Sequence, residues 1–382
     1  MAKFFPITEK ATFLERVNRF TIKVLNRHGK VLKSYLPNSG SLEELLIPGR
    51  TVLVTESQKG KLPYKAVGVI DASGNFIMID SIKVNEILPS IIERIPSLKG
   101  YQITRREVRY ENARFDFLLG KGPQKLLLEV KGCTLFWEDV ASFPDAPTKR
   151  GVKHLRLLSN LPEDLKGGIL FIIQKPVKYF IPNFHTDPEF ASELYKARER
   201  LLIEAISLKW DEDLNLIEES ISRAHIPWER MEPLLQDKGA YLLLLLNESP
   251  KALPFSEGSK PKSALFERGF YVYVGSGLKG LSSRIKRHLS DKGKPFWHID
   301  KIKKGMKIVK VIPIRNPERM ECKIAKELKA IADGIIAGFG SSDCACESHL
   351  FYFKRDPRQV EGFLERVLKF RFGLLSETIQ NP

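Results

Sequence analysis

Three short, almost unbroken apolar runs constrain this chain more than any other feature: QKLLLEVKGCTLF (124–136), GGILFIIQ (167–174) and AYLLLLLN (240–247). The longest stretch within them, Tyr241 to Leu246, is far too short for a bilayer, which needs about 20 residues. Runs of this length with little polar alternation read as strands covered on both faces. Segments with helical period stand nearby. Pro147 to Leu158 has Val152, Leu155 and Leu158 apolar, and PEFASELYKARERL (188–201) has one apolar face. The expectation is mixed α/β structure, in two or three domains over 382 residues.

The N-terminal part has another texture. VNRFTIKVL, KVLKSYL, TVLVTES, YKAVGVI and FIMID lie within residues 17–80, separated by His-Gly, Asn-Ser-Gly and Ser-Gly-Asn turns. Several short strands in so few residues predict a small β-barrel. From residue 101, RREVRYE and ARFDFLL read as further strands, and Ala205 to Leu208 as the last strand of that unit. After 238 follow AYLLLLLNES, a polar loop, GFYVYVGSG, a basic helix SSRIKRHL and IVKVIPI. A helix ERMECKIAKELKAIA, a short strand HLFYFK and a tail helix over 357–377 complete the chain.

Charge divides unevenly. Residues 1–198 hold 31 Lys/Arg against 21 Asp/Glu, residues 199–237 hold 4 against 10, and residues 238–382 hold 27 against 15. Two basic blocks therefore flank an acidic stretch, and the whole carries +16. A polyanionic partner suits that pattern, since each neutralised phosphate releases a counterion. Residues 211–237, acidic and interrupted by Pro227 and Pro233, read as a connector. Four cysteines and an N-terminus without a sustained apolar core predict a reduced, cytoplasmic chain with no membrane partner.

Two residue constellations carry chemistry. Alternation along Glu129-Val130-Lys131 puts Glu129 and Lys131 on one strand face, and Asp116 lies on the strand before it. Paired carboxylates attract a hard divalent cation, Mg2+ or Mn2+, able to activate water and neutralise phosphoryl charge. A nearby ammonium adds electrostatic stabilisation. Glu107 is a candidate third acid. By itself E-x-K also describes a surface ion pair. This D…E-x-K arrangement resembles the PD-(D/E)XK nuclease superfamily.

A longer pattern surrounds it. Arg16, Arg19-Phe20, Leu36-Pro37-Asn38-Ser39-Gly40, Pro48-Gly49 and Arg114-Phe115-Asp116-Phe117-Leu118-Leu119 come first. Glu129 to Leu135, Phe143-Pro144-Asp145-Ala146-Pro147-Thr148, Arg150-Gly151 and Lys153-His154-Leu155 follow. In this order they resemble the sugar fermentation stimulation protein family over roughly residues 10–210. The sequence departs from the family pattern at Leu36 and Cys133. The resemblance implies an N-terminal oligonucleotide-binding barrel, a nuclease-like domain and DNA binding. Arg16, Arg19, Asn38, Arg114, Arg150, Lys153 and His154 become candidate nucleic-acid contacts, with Asp145 as a helix cap.

The second constellation is Tyr241, Tyr273, Arg284 and Glu321, with Arg287 and His288 beside Arg284. Gly239-Ala240-Tyr241 and Tyr273-Val274-Gly275 resemble the paired triplets of GIY-YIG endonucleases, with Ala240 and Val274 in place of isoleucines. Tyr271 to Ser276, Arg287-His288-Leu289, Trp297 to Asp300, Glu321-Cys322, Gly338 to Cys344 and Ser348 to Phe351 resemble a GIY-YIG-related family over about 238–355. The resemblance implies tyrosines that orient or deprotonate water, Arg284 and the neighbouring Arg287 and His288 on phosphate, and Glu321 on one divalent ion. No counterpart of the terminal Asn of active GIY-YIG enzymes is evident. Cys344-x-Cys346-x-x-His349, with Cys322 or His298, could ligate zinc, but C-x-C spacing favours ordinary structural cysteines.

The expectation is a multidomain α+β and α/β protein. It comprises an OB-like barrel (1–85), a PD-(D/E)XK nuclease-like domain (86–210), the acidic connector (211–237) and a GIY-YIG-like domain with a C-terminal helix (238–382). It would bind DNA, with RNA as the alternative. It would act as a metal-dependent phosphodiesterase, or as a non-catalytic regulator or scaffold whose nuclease-like sites are vestigial.

Overall fold

The computed structural model describes residues 4–7, 9–57, 60–257, 260–290 and 298–380. The chain divides into two compact units, Met1–Trp228 and Glu229–Pro382.

The first unit opens with β1 (Glu9–Asn18), β2 (Thr21–Leu25), β3 (Val31–Tyr35), β4 (Thr51–Glu56) and β5 (Tyr64–Ile70). They pair in the order β3-β2-β1-β4-β5, and a parallel pairing of Ser34 and Tyr35 with Tyr64 and Lys65 closes the barrel. Closure leaves no bare edge. Phe13, Ile22, Val24, Val52, Val54, Ala66 and Val69 fill the interior. The stretch VNRFTIKVL, expected as one strand, is two: β1 begins at Glu9, and the chain reverses at Arg19-Phe20 so that Asn18 faces Thr21.

β6 (Phe76–Met78) and α1 (Val84–Ile91) lead into β7 (Gln102–Tyr110), β8 (Ala113–Lys121), β9 (Gln124–Cys133), β10 (Leu135–Trp137) and β11 (Val140–Phe143). Then come α2 (Lys149–Leu158), β12 (Lys166–Ile173), β13 (Tyr179–Pro182), α3 (Pro188–Ala197), β14 (Leu202–Trp210) and β15 (Leu216–Arg223). The main sheet runs β7-β8-β9-β12-β14, antiparallel as far as β9 and parallel from β9 to β14. β6 joins it to the barrel through Phe76 opposite Trp210. β9 is buried on both faces, as its apolar run demands. Leu127 belongs to the same core as Val152, Leu155 and Phe190 of α2 and α3, whereas Leu126, Leu128 and Val130 belong to the core that holds Val84, Ile87 and Leu88 of α1.

Three expectations need correction here. The 211–237 stretch is not a connector throughout, and Ala205 to Leu208 is not in the last strand, because β15 pairs antiparallel with β14. The acidic DEDLN is a hairpin turn: the Asp211 carboxylate accepts the Asp213 and Asn215 amides. Asp145 does not cap α2. Thr148 does, accepting from the Gly151 amide at 3.0 Å.

The second unit holds β16 (Gly239–Asn247), β17 (Lys251–Glu257), β18 (Lys260–Phe266), β19 (Gly269–Ser276), α4 (Leu281–Leu289) and α5 (His298–Ile302). β20 (Lys307–Arg315), α6 (Glu321–Lys329), β21 (Gly334–Ile335), β22 (Leu350–Phe353) and α7 (Glu361–Gln380) follow. Its sheet runs β20-β16-β19-β22-β21, all antiparallel. The expected polar loop contains the hairpin β17–β18. α7 buries Phe363, Leu364, Val367 and Phe370. No helix among the described residues is long and apolar enough to cross a membrane.

Candidate metal and nucleic-acid sites

The β8–β9 ladder stops at Phe117 opposite Leu128. Beyond that pair the Val130 amide donates to the Asp116 carboxylate (2.8 Å) rather than to a main-chain carbonyl. The other Asp116 oxygen accepts from Asn85 Nδ2 of α1 at 2.6 Å. Glu129 is almost fully buried, 1% exposed. Its Oε1 takes the Lys131 ammonium and lies 2.8 Å from His154 Nδ1. Its Oε2 is buried with no protein partner. Arg150 Nε donates to His154 Nε2 at 3.3 Å, which leaves the proton on Nδ1, facing Glu129. Phe115 packs against the imidazole at 4.8 Å between ring centres.

Two carboxylates in one low-dielectric pocket divide their proton affinities. Burial and the Glu129 charge push Asp116 above its ordinary value. Burial works the same way on Glu129, but the Lys131 ammonium and His154 outweigh it and hold that carboxyl below its usual range. A buried carboxylate oxygen without a hydrogen-bond partner, beside a second largely buried carboxylate, is a donor set that a hard divalent cation fits.

The remaining candidates separate. Glu107 is exposed and pairs with Arg114 at 3.4 Å. Arg16 is half-buried and gives its guanidinium to the carbonyls of Ser41, Arg19 and Asn38, so it holds a loop. Asn38 bridges the Ile79 carbonyl and the Gly40 amide. A Cβ on Gly40 would collide with the Asp145 carboxylate, and Asp145 accepts the Leu42 amide. The Leu-Pro-Asn-Ser-Gly motif therefore packs a loop onto Asp145. Arg19 bonds the Ser39 carbonyl (3.3 Å) and remains exposed. Lys153 reaches the Asn112 carbonyl (2.7 Å) from the outer face of α2. His154 is buried beside Glu129, not exposed on a phosphate-gripping face. Asn85 escaped the sequence reading because α1 itself was not anticipated, and nothing local distinguishes this Asn from any other.

In the second unit, Tyr241 stands opposite Gly275 across β16 and β19, and a Cβ there would collide with the Tyr241 ring. This close approach explains the Tyr…Gly pairing of the two triplets. Tyr241 and Tyr273 lie 6.3 Å apart between ring centres. Burial pushes both phenols far above their ordinary values, against the lowering influence of Arg284. They can donate hydrogen bonds but are poorly placed to take a proton. Tyr241 Oη meets His288 Nε2 at 2.8 Å, and His288 Nδ1 faces Asp300 at 3.5 Å. Burial holds His288 down to about 4. His288 is therefore a neutral core residue, which corrects its reading as a nucleic-acid contact; its neighbour Arg287 pairs with Asp300 at 2.6 Å. Glu321 begins α6, buried, with Oε1 accepting from Arg319 (2.8 Å) and Oε2 without a hydrogen-bond partner. The groups of Cys322, Cys344, Cys346 and His349 gather beside it. His298 contributes only its backbone to the described structure.

Comparison with known proteins follows this division. The family model for the SfsA N-terminal OB domain matches residues 14–79, and that for the sugar fermentation stimulation protein RE domain matches 83–213. The model described as domain of unknown function DUF123, which is GIY-YIG-related, matches 240–371. A sugar fermentation stimulation protein homolog of Clostridium tetani is 41% identical over 200 residues, 50% of this chain and 85% of that protein. The homolog of Aquifex aeolicus is 38% identical over 214 residues, 54% of this chain and 94% of that protein. The homolog of Methanothermobacter thermautotrophicus is 35% identical over 196 residues, 50% of this chain and 81% of that protein. Among solved structures, Pyrococcus furiosus SfsA in complex with Ca2+ superposes with TM-score 0.54 and 30% identity, covering 59% of this chain and 99% of that one. With the barrel, the mixed sheet and the relatives in agreement, this chain belongs to the sugar fermentation stimulation protein family.

Proposed function

We propose that this protein binds DNA and that Asp116 and Glu129 hold a divalent cation, Mg2+ or Mn2+, for phosphodiester hydrolysis. The observation that carries this reading is the buried, unpartnered Glu129 Oε2 beside Asp116 and Lys131. When bound, the ion supplies positive charge against the scissile phosphate and lowers the pKa of a water. The chain's own groups prepare that place. Lys131 and His154 keep Glu129 ionised and fix its orientation. Asn85 and the Val130 amide hold Asp116. Arg150 buttresses His154, and Lys153 with Arg19 offers exposed positive charge for the backbone of a polyanion. A relative described in complex with Ca2+, another oxygen-liganded cation, supports the same class of ligand.

One observation favours a second reading. Glu129 Oε1 is already engaged by Lys131 and His154, an arrangement that can serve as a structural ion pair in a non-catalytic DNA-binding regulator. The test is incubation with single- and double-stranded DNA and with RNA, in Mg2+, Mn2+ or chelator. Metal-dependent cleavage that falls about 100-fold or more in Glu129→Gln and survives in Glu321→Gln is the expected result. Binding without cleavage under every condition supports the regulator. Cleavage lost only in Glu321→Gln transfers the activity to the second unit.

A further inference from the structure

The proposed DNA chemistry does not use the thiols of the second unit. Cys322 lies in the first turn of α6, whereas Cys344, Cys346 and His349 belong to the segment leading into β22. One ligand atom from each of the four lies within 4.8 Å of all the others. Cys344 Sγ stands 3.5 Å from His349 Nε2. Tetrahedral zinc, with bonds of about 2.3 Å to sulfur and about 2.0 Å to nitrogen, spaces its ligands about 3.5–3.8 Å apart. The observed cluster needs only a small contraction to meet that geometry.

We propose that Cys322, Cys344, Cys346 and His349 form a closed structural zinc site that clips the 338–349 segment to the N-terminus of α6. Three sulfurs and one imidazole are a donor set for zinc rather than for magnesium or calcium. A disulfide would use two thiols and leave the third packed against His349. Four protein ligands leave no open position, so the site supports structure and not catalysis.

The segment has reason to be held. Between β21 and β22 it contains no helix or strand. Its firm anchor is His349, whose amide donates to the Phe339 carbonyl (2.8 Å) and whose carbonyl accepts from Val274 of β19 (2.9 Å). His349 is buried, so the imidazole is presented from a fixed backbone. The same segment supplies Asp343, which meets Arg319 at 2.8 Å, and Arg319 in turn holds Glu321. The zinc would thus fix the segment next to the candidate carboxylate Glu321, one residue before the first ligand.

The test uses the full chain, purified under reducing conditions without chelator. About one zinc per chain by elemental analysis is expected. Replacement with Co2+ should give the intense visible bands of a tetrahedral ion and a near-ultraviolet thiolate-to-cobalt band. That band separates this site from Asp116 and Glu129, which have no sulfur. The Cys344→Ser/Cys346→Ser double variant should retain far less than half an equivalent and lose the sulfur band, with Cys322→Ser following it. If those variants fail to fold, the wild-type stoichiometry and cobalt spectrum decide. Absence of zinc and of a thiolate–cobalt band in the wild type overturns the proposal. So does a disulfide among these cysteines by mass mapping, iron–sulfur absorption, or full zinc retention in the double variant.

Discussion

Asp116 is under opposing demands. Burial and Glu129 resist its charge, while Asn85 and the Val130 amide reward it. Its folded-state proton affinity is raised, so the folded protein holds the proton more tightly than the unfolded chain, and stability falls as pH rises through that range. Asp116→Asn should therefore melt no lower than wild type in chelator at neutral pH, with Asn85 turning its amide to suit. Added Mg2+ or Mn2+ should raise the melting temperature of wild type only. A variant that still gains from metal would remove Asp116 from the ligand set. Glu129→Gln is the less innocent change, because a buried carboxylate with two partners is lost and about 1–3 kcal/mol of stability with it. His288 behaves in the opposite sense. The unfolded imidazole takes a proton near 6.5 and the folded one only near 4. Stability present above 6.5 is thus lost as pH falls through that window, by on the order of 3 kcal/mol. Urea melts between these values should show the loss in wild type and a flatter profile in His288→Gln. Equal slopes would mean that another group governs the acid sensitivity.

At the scale of elements, α2 connects capping to the site. Its N-terminus is held by Thr148, its inner face buries Val152, Leu155 and Leu158, and it delivers His154 to Glu129 with Arg150 bonded behind the imidazole. Thr148→Ala should cost about 1 kcal/mol, as loss of an N-cap does, and Thr148→Ser should restore it. Thermal melts of both variants check this; an unchanged Thr148→Ala would mean that the cap is dispensable. Helical period located α2, and apolar continuity located β9, β12 and β16, because each is a local pattern of burial. α1 was not legible: its apolar residues Val84, Ile87, Leu88 and Ile91 surround Pro89 and follow directly on strand-like sequence. β15 was hidden by its acids. It is half-buried, and its pairing with β14 is settled by the hairpin turn at Asp211–Asn215 rather than by its composition.

For the whole molecule, the +16 charge predicts binding that depends on phosphate neutralisation. DNA affinity should fall at least about tenfold between about 50 and about 200 mM salt, with little discrimination among sequences. Filter binding or anisotropy across that range checks it, and a flat profile removes the basic blocks from the interface. The family and the meeting of Asp116 with Glu129 and Lys131 were readable from motif spacing, since each motif preserves a backbone geometry or a residue type. Which side chains are free to work was not. The motif resemblances make Arg16, Asn38 and His288 candidate contacts, yet they are consumed by carbonyls, amides and a tyrosine that arrive from distant parts of the chain. Cys322 lies more than 20 residues from Cys344, Cys346 and His349, and only the packing of α6 against the β22 approach brings the four together. Local sequence determines burial and periodicity, because those depend on each residue's own transfer free energy and backbone preference. The partner of a buried polar group depends on which strands and helices become neighbours, and that was decided by the tertiary structure.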